Sequence, residues 1–293
     1  MKVVEFILST LINGLSLGGI YAMIALGYTM VYGIAKMLNF AHGDIIMVGG
    51  YLIYVFMATN NPFLAIILAV IGCMLLGITI EKLAYKPLRG ASPLAVLITA
   101  IGMSYLLQSL AQIIFGSAGK MVTVFVFPAI KLLGVTVQVS SLVTLAVTVV
   151  VMVALTSFIK FTRLGRAMIA VSEDKGAAQL MGINVNKIIT ITFAIGSSLA
   201  ALAGLFYLLR SPAVSNTMGA MPGIKAFTAA VIGGIGSIPG AMLGGILLGL
   251  VETLSYKVTA IAPYTDAIEF SILIIILLVR PSGFLGKKRR EKV

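Results

Sequence analysis

Asn39, His42 and Asp44 stand together at the end of the first long apolar run of the sequence. An imidazole two positions from a carboxylate is material for a proton relay or a metal site. His42 is the only histidine of the chain, and two ligands are too few for a metal centre, so no metal is expected. Three readings of the cluster stay open: a hydrogen-bonded helix start with Asp44 opening the next helix, an element of a pathway or gate, and a proton-coupling group. Glu252 and Glu269 fall inside apolar runs, where an ionised carboxylate is costly unless paired or wetted, and an interface role suits either. Tyr21, Tyr28, Tyr32 and Tyr51 read as packing or interfacial aromatics.

A second group is glycine-rich. The run Gly234-Ile-Gly236-Ser-Ile-Pro239-Gly240 superficially resembles a dinucleotide fingerprint, but no strand-helix-strand unit surrounds it, so no cofactor is expected. Its physical content is a sharp chain break from Gly233 onward: glycine permits unusual dihedrals, and Pro239 blocks helix continuation. Gly240, Gly244, Gly245 and Gly249 then allow close helix packing. A broken helix can present N–H or C=O groups to a carboxylate or ammonium. Asn39, His42, Asp44, Gly233, Gly234, Gly236, Pro239 and Gly240 are therefore the candidate pathway residues. No nucleophile and base stand at motif spacing and no Gly-x-x-x-x-Gly-Lys-Ser/Thr phosphate loop occurs, so neither enzymatic activity nor nucleotide hydrolysis is expected of this chain.

The third group lies in the polar stretch 165–183, headed by Arg166. Ser172 can cap a short helix, Glu173 and Asp174 suit the positive end of its dipole, and Gly182 is a natural stop. Ala177, Ala178 and Met181 then share a small apolar face. Such a face fits a partner's groove; a helix lying on lipid headgroups is the alternative, for which alanine and one methionine are poor anchors.

The elements that hold these groups are membrane spans. Sixty per cent hydrophobic and ten per cent charged residues in 293 leave too little polar surface to cover a soluble globule. Apolar candidates fall at 6–33, 44–58, 63–80, 91–115, 141–159, 188–209, 224–235, 241–255 and 261–279. The pieces at 44–58, 224–235 and 241–255 are short and flanked by glycine or proline, which predicts broken or re-entrant helices. The expectation is an all-α polytopic membrane protein of about eight to ten transmembrane or re-entrant helices, a single domain over 1–293. The net charge of +12 sits in gaps between runs and at the C-terminus, so it speaks for membrane topology and against nucleic acid. The gaps at 82–89, 160–187 and 280–292 are expected in the cytoplasm; the side of the N-terminus stays open. No signal-peptide cleavage is expected, because the first run is too long. The lone Cys73 carries no disulfide information. The loop 116–140, with β-branched stretches at 121–127 and 134–139, predicts a small hairpin on the outer face, either a docking surface or a lid.

Gly176-Ala-Ala178 with Gly182 four residues on resembles the cytoplasmic Glu-Ala-Ala-x-x-x-Gly loop of ABC-importer permeases, with Gly176 in place of the glutamate and no Leu-Pro following. It is joined by Tyr21-Ala-Met-Ile-Ala-Leu-Gly-Tyr-Thr-Met-Val-Tyr-Gly33, by Asn39-Phe-Ala-His-Gly-Asp44 and by the stretch from Lys225 to Ala241. Over essentially its whole length the chain resembles the branched-chain amino acid permease family. That resemblance implies a bacterial inner-membrane importer in which two permease subunits, usually non-identical, pair with two ATP-binding subunits and a periplasmic substrate-binding protein, embedded in membrane lipid. It further implies leucine, isoleucine or valine as substrate, with urea or another small amide or amino acid as the alternative, and coupling to the ATPase through Arg166, Ser172, Glu173, Asp174, Ala177, Ala178, Met181 and Gly182.

Overall fold

A computed structural model describes residues 2–132 and 135–286. The chain folds into α1 (Lys2–Ala35), α2 (His42–Phe56), α3 (Pro62–Ile80), α4 (Pro93–Phe115), β1 (Lys120–Met121), β2 (Ala129–Leu132), β3 (Val135–Gln138), α5 (Val139–Phe161), α6 (Arg163–Glu173), α7 (Lys175–Leu180), α8 (Val185–Arg210), β4 (Ala213–Val214), α9 (Ala220–Gly233), α10 (Ile238–Lys257) and α11 (Thr265–Val279). Eight helical stretches among the described residues are long and apolar enough to cross a membrane, and α9 is a shorter apolar helix. The fold is thus all-α and multi-pass, and each expected apolar segment is a helix.

Local chemistry sets the helix starts. Asn61 accepts from the Leu64 amide at 3.2 Å, Ser92 from Ala95 at 3.3 Å and Ser237 from Gly240 at 3.2 Å. Each cap is followed by proline in the first turn, whose missing N–H is no loss there. The segment 241–255, expected to be broken, is instead part of the continuous twenty-residue α10, because proline in the first turn starts a helix and does not interrupt it.

One end of the bundle is basic. There Arg89 reaches Glu81 and Asn186, Thr190 donates to Glu81 at 2.7 Å, and the Lys175 ammonium donates to the Ala35 carbonyl at 2.8 Å. The basic tail 287–292 lies outside the described residues. At the opposite end β1 pairs antiparallel with β4, and Lys257 stands 5.1 Å over the Phe6 ring.

The hairpin of the 116–140 loop differs from expectation. It joins β2 to β3, with Ala129 opposite Gln138 and Leu132 opposite Val135, so only a two-residue connection, 133–134, separates the strands, a favoured hairpin length. Of the expected first strand, 121–127, only Met121 is in a ladder, with Ala213. Phe125 instead packs on Phe63 and Phe127.

The core sits along α1 and α8, the most buried spans, while α4 and α11 are mostly exposed. Glycine lets α1 meet α10 backbone to backbone: a Cβ at Gly18 would lie 2.7 Å from the Ile246 Cα, and one at Gly14 would lie 3.1 Å from the Leu250 Cα.

Candidate functional site

After α1 ends at Ala35, residues 36–41 turn back into the bundle, and α2 starts inside it. Asp44 accepts from the Gln108 amide at 2.8 Å, and Gln108 lies fifteen residues into α4, about 22 Å along that helix at 1.5 Å per residue. Asn39 anchors the returning segment by accepting from the Tyr85 hydroxyl at 2.9 Å, both side chains buried. His42 packs edge-on against Tyr28, ring centroids 4.7 Å apart. Gly27 makes room for that ring, since a Cβ there would overlap His42. The His42 Nε2 has no hydrogen-bond partner among the described residues.

A second helix begins at the same depth. The Gly43 backbone faces the first turn of α9: a Cβ on Gly43 would stand 2.6 Å from the Gly219 carbonyl oxygen and 3.1 Å from the Gly223 Cα. The N-terminal turns of α2 and α9 therefore overlap in the bundle interior while the helices run to opposite ends. Each brings the positive end of its dipole, while most of its first N–H groups are already bonded: His42 donates to Asn39, Asp44 and Ile45 to Ala41, Ala220 to Thr217 and Gly223 to Gly219. Asp44 opens α2 as expected, and Ala41 at the N-cap makes no side-chain cap bond. Asp44 is 2 % exposed and forms no ion pair among the described residues.

The glycine run is elsewhere and differently made. Gly234 and Gly236 have φ of +104° and +94°, so the chain breaks sharply between α9 and α10 at the basic end, with Pro239 in the first turn of α10. Carbonyls leading into it are taken: Phe284 donates to Ile232 and Leu285 to Gly233, both at 2.9 Å, and Ser237 donates to Gly234 at 3.0 Å, and Gly240 packs against the Gly233 backbone. Ile235 alone reaches toward the first cluster, sharing with Tyr28, Tyr32, Asn39 and Phe227 a crevice of about 190 Å³, too narrow for water.

The stretch 165–183 folds as two helices. Asp174, not Ser172, is the cap: its Oδ1 accepts from Gly176 at 2.8 Å and Ala177 at 3.0 Å. Ser172 donates to the Ile169 carbonyl at 2.7 Å inside α6, because the chain leaves the helix at Asp174, whose backbone is extended. Gly182 ends α7 with φ +80°, the left-handed stop glycine supplies. Ala178 is 3 % exposed and packs inward, so it leaves the expected face. That face is carried instead by Ala177, Leu180 and Met181, the last two 91 % and 82 % exposed, with Arg166 and Glu173 also at the surface. Burial and the neighbouring Arg89 charge hold the Lys175 amine below the ordinary lysine pKa.

Residues 10–277 match the family model for the branched-chain amino acid transport system permease component. The chain belongs to that family. It is 43 % identical to the high-affinity branched-chain amino acid transport permease BraD of Pseudomonas aeruginosa and 40 % identical to LivH of Escherichia coli, each over 98 % of both chains. Among solved structures, PsaBC from Streptococcus pneumoniae in complex with Fab matches with TM-score 0.50 at 14 % identity, covering 95 % of this chain and 93 % of that one; this is a likeness of fold.

The permease also contains a buried ionic cluster whose cation the sequence reading left unassigned. Lys225 on α9 pairs with Glu252 at 3.2 Å, Asp266 at 2.9 Å and Glu269 at 3.1 Å, and the Tyr21 hydroxyl donates to Glu252 at 2.6 Å. Glu252 and Glu269 are the carboxylates that needed a partner. The signal was Lys225 itself, a cation heading an apolar run that must find an anion. The cluster ties the exposed α11 to α9, α10 and α1.

Proposed function

We propose that this permease forms one half of the membrane pathway of an ATP-driven importer of leucine, isoleucine and valine in the bacterial inner membrane. It works with a second permease subunit, two ATP-binding subunits and a periplasmic substrate-binding protein. The observation that carries this reading is the full-length likeness to two permeases named for high-affinity branched-chain amino acid transport. With the basic end in the cytoplasm, α1 starts on the periplasmic side, the 116–138 loop is periplasmic, and α6 and α7 are cytoplasmic.

In that orientation Leu180 and Met181 are large apolar side chains projecting from a short cytoplasmic helix, the geometry of a knob that enters a partner's groove. Asp174 fixes the start of α7 and Gly182 its end, so ATP-driven motion of the partner is passed to the bundle as a rigid push. Lys175 joins α7 to the end of α1, and the segment after α1 leads straight to Asn39, His42 and Asp44. At that depth a zwitterion meets both of its complements. Asp44 can face an ammonium and the overlapped N-termini of α2 and α9 a carboxylate, while apolar walls accept a branched side chain. Weak, distributed contacts favour release after each cycle, which leaves the choice of substrate chiefly to the binding protein.

Two measurements test the reading. In proteoliposomes holding the assembled importer and its cognate binding protein, ATP should drive uptake of radiolabelled leucine and not of urea; the reverse selectivity would make this a small-amide permease. Leu180→Glu with Met181→Glu should cut recovery of the ATPase subunit in a pull-down about tenfold, roughly 1.4 kcal/mol of docking energy, while membrane insertion stays normal. Undiminished recovery would move the docking face off α7.

A further inference from the structure

At the end of the bundle opposite the basic one, the permease encloses a polar cavity of about 470 Å³ between α1, α5, α8 and α10. It lies within a single subunit, away from Asp44 and the α2–α9 crossing. Its inner wall is hydroxyl-rich: Ser16, Thr144 and Thr253 line it, all largely buried. The Thr253 hydroxyl oxygen is itself shut off from the cavity and has no hydrogen-bond partner among the described residues, so that residue shapes the wall. Asn13 adds an amide. The charged side chains lining the cavity are both cations, Arg210 and Lys257, with no carboxylate among the lining residues. Lys257 is occupied by Ser9 and the Phe6 carbonyl. Arg210 ends α8 at the mouth, exposed, and no ion pair is formed by it among the described residues.

The geometry points to a carboxylate-binding subsite for a small zwitterionic solute, with Arg210 taking the carboxylate and Ser16 and Asn13 the polar remainder. A planar guanidinium matches a carboxylate with two parallel N–H bonds, and the volume lies in the range of small-molecule pockets. The assignment of the solute as an amino acid rests on the importer reading above; in that orientation the subsite faces the periplasm and holds the substrate before it reaches the interior crossing. A phosphate headgroup of an anionic lipid offers the same oxyanion chemistry and is the competing source.

The chain has no tryptophan, so Tyr256→Trp, an exposed position on the cavity lining, is a reporter without background. The full chain with this single reporter is placed in phosphatidylcholine vesicles and titrated with leucine, acetate and leucinamide. Leucine and acetate are expected to give saturable fluorescence changes and leucinamide, which lacks the carboxylate, none. Arg210→Gln should weaken the leucine half-saturation at least tenfold, and Ser16→Ala should weaken it severalfold. Equal responses to leucine and leucinamide, or an unchanged response in Arg210→Gln, would overturn the subsite. A response that appears only when phosphatidylglycerol is added, with leucine silent, would assign the cavity to lipid and overturn it as well. Because the titration contains no ATP and no binding protein, failure of ATP-driven leucine uptake in the assembled importer would strike the importer reading and leave this result standing.

Discussion

Two places in this chain break a helix with glycine and polar residues inside apolar surroundings, and they are built to opposite ends. At 233–240 Gly234 and Gly236 take the left-handed region, residues 284 and 285 donate to the Ile232 and Gly233 carbonyls, and Ser237 caps the next helix. At 39–44, with the facing turn at 219–223, the backbone turns are bonded and two side chains are left less matched: among the described residues the His42 Nε2 has no hydrogen-bond partner and Asp44 has an amide for company but no cation. Glycine serves packing in the first case and, in the second, lets two helix starts approach closely enough to share one spot. A satisfied break holds a bundle together; an unsatisfied one is available to a passing ligand.

Substitutions should separate the two. The largest effect is expected from Gly234→Val, which forces a β-branched residue to φ +104° and drives a Cβ into the Gly286 backbone. Strain of about 3 kcal/mol or more should remove most of the folded protein, seen as aggregation on detergent size-exclusion chromatography. Gly27→Ala pushes on the His42 ring in the other break; the protein should remain monodisperse while leucine uptake falls about tenfold, equivalent to ~1.4 kcal/mol. Normal uptake would remove His42 from the pathway. Asp44→Asn keeps the hydrogen bond to Gln108 and deletes the charge, so uptake should slow severalfold and still require ATP. Uptake by this variant or the wild type driven by a pH gradient alone would replace the importer with a proton-coupled carrier. The smallest effect concerns Lys175, at the join between α7 and α1. Its lowered pKa means that the folded form binds fewer protons than the unfolded one, so this group's contribution to stability rises with pH from its folded value up to the ordinary lysine value. Its neutral amine should therefore acylate at lower pH in the folded protein than in the denatured chain, as read by mass spectrometry of labelled peptides.

How much of this was legible in the sequence depended on range. Apolar runs located the helices because lipid and protein interior both demand apolar side chains, and Asp44 and Gly182 announced a start and a stop through local chemistry. The same uniform apolarity hid which face of each helix meets which neighbour. That is why Ala178 was placed on the outer face of α7, why the return of 36–41 into the bundle went unseen, and why Glu252 and Glu269 were not joined to Lys225. Ser172 was preferred to Asp174 as a cap because both fit the residue preference, and only the extended backbone at Asp174 decides between them. The β2–β3 register is not legible because the β-branched stretch 121–127 has the composition of a strand, whereas its Phe125 packs on Phe63.

A fourteen-residue helix reaches only about 21 Å, short of the roughly 30 Å hydrocarbon layer, so α9 does not qualify as a span on its own when the chain is synthesised. Its inner end is completed by the Gly43 turn, made well over a hundred residues earlier, and its last carbonyls by residues 284–285, made some fifty residues later. Biogenesis of this permease therefore has an enforced order: α2 must already be seated to receive α9, and the break after α9 stays open until the final segment of the described chain arrives to close it.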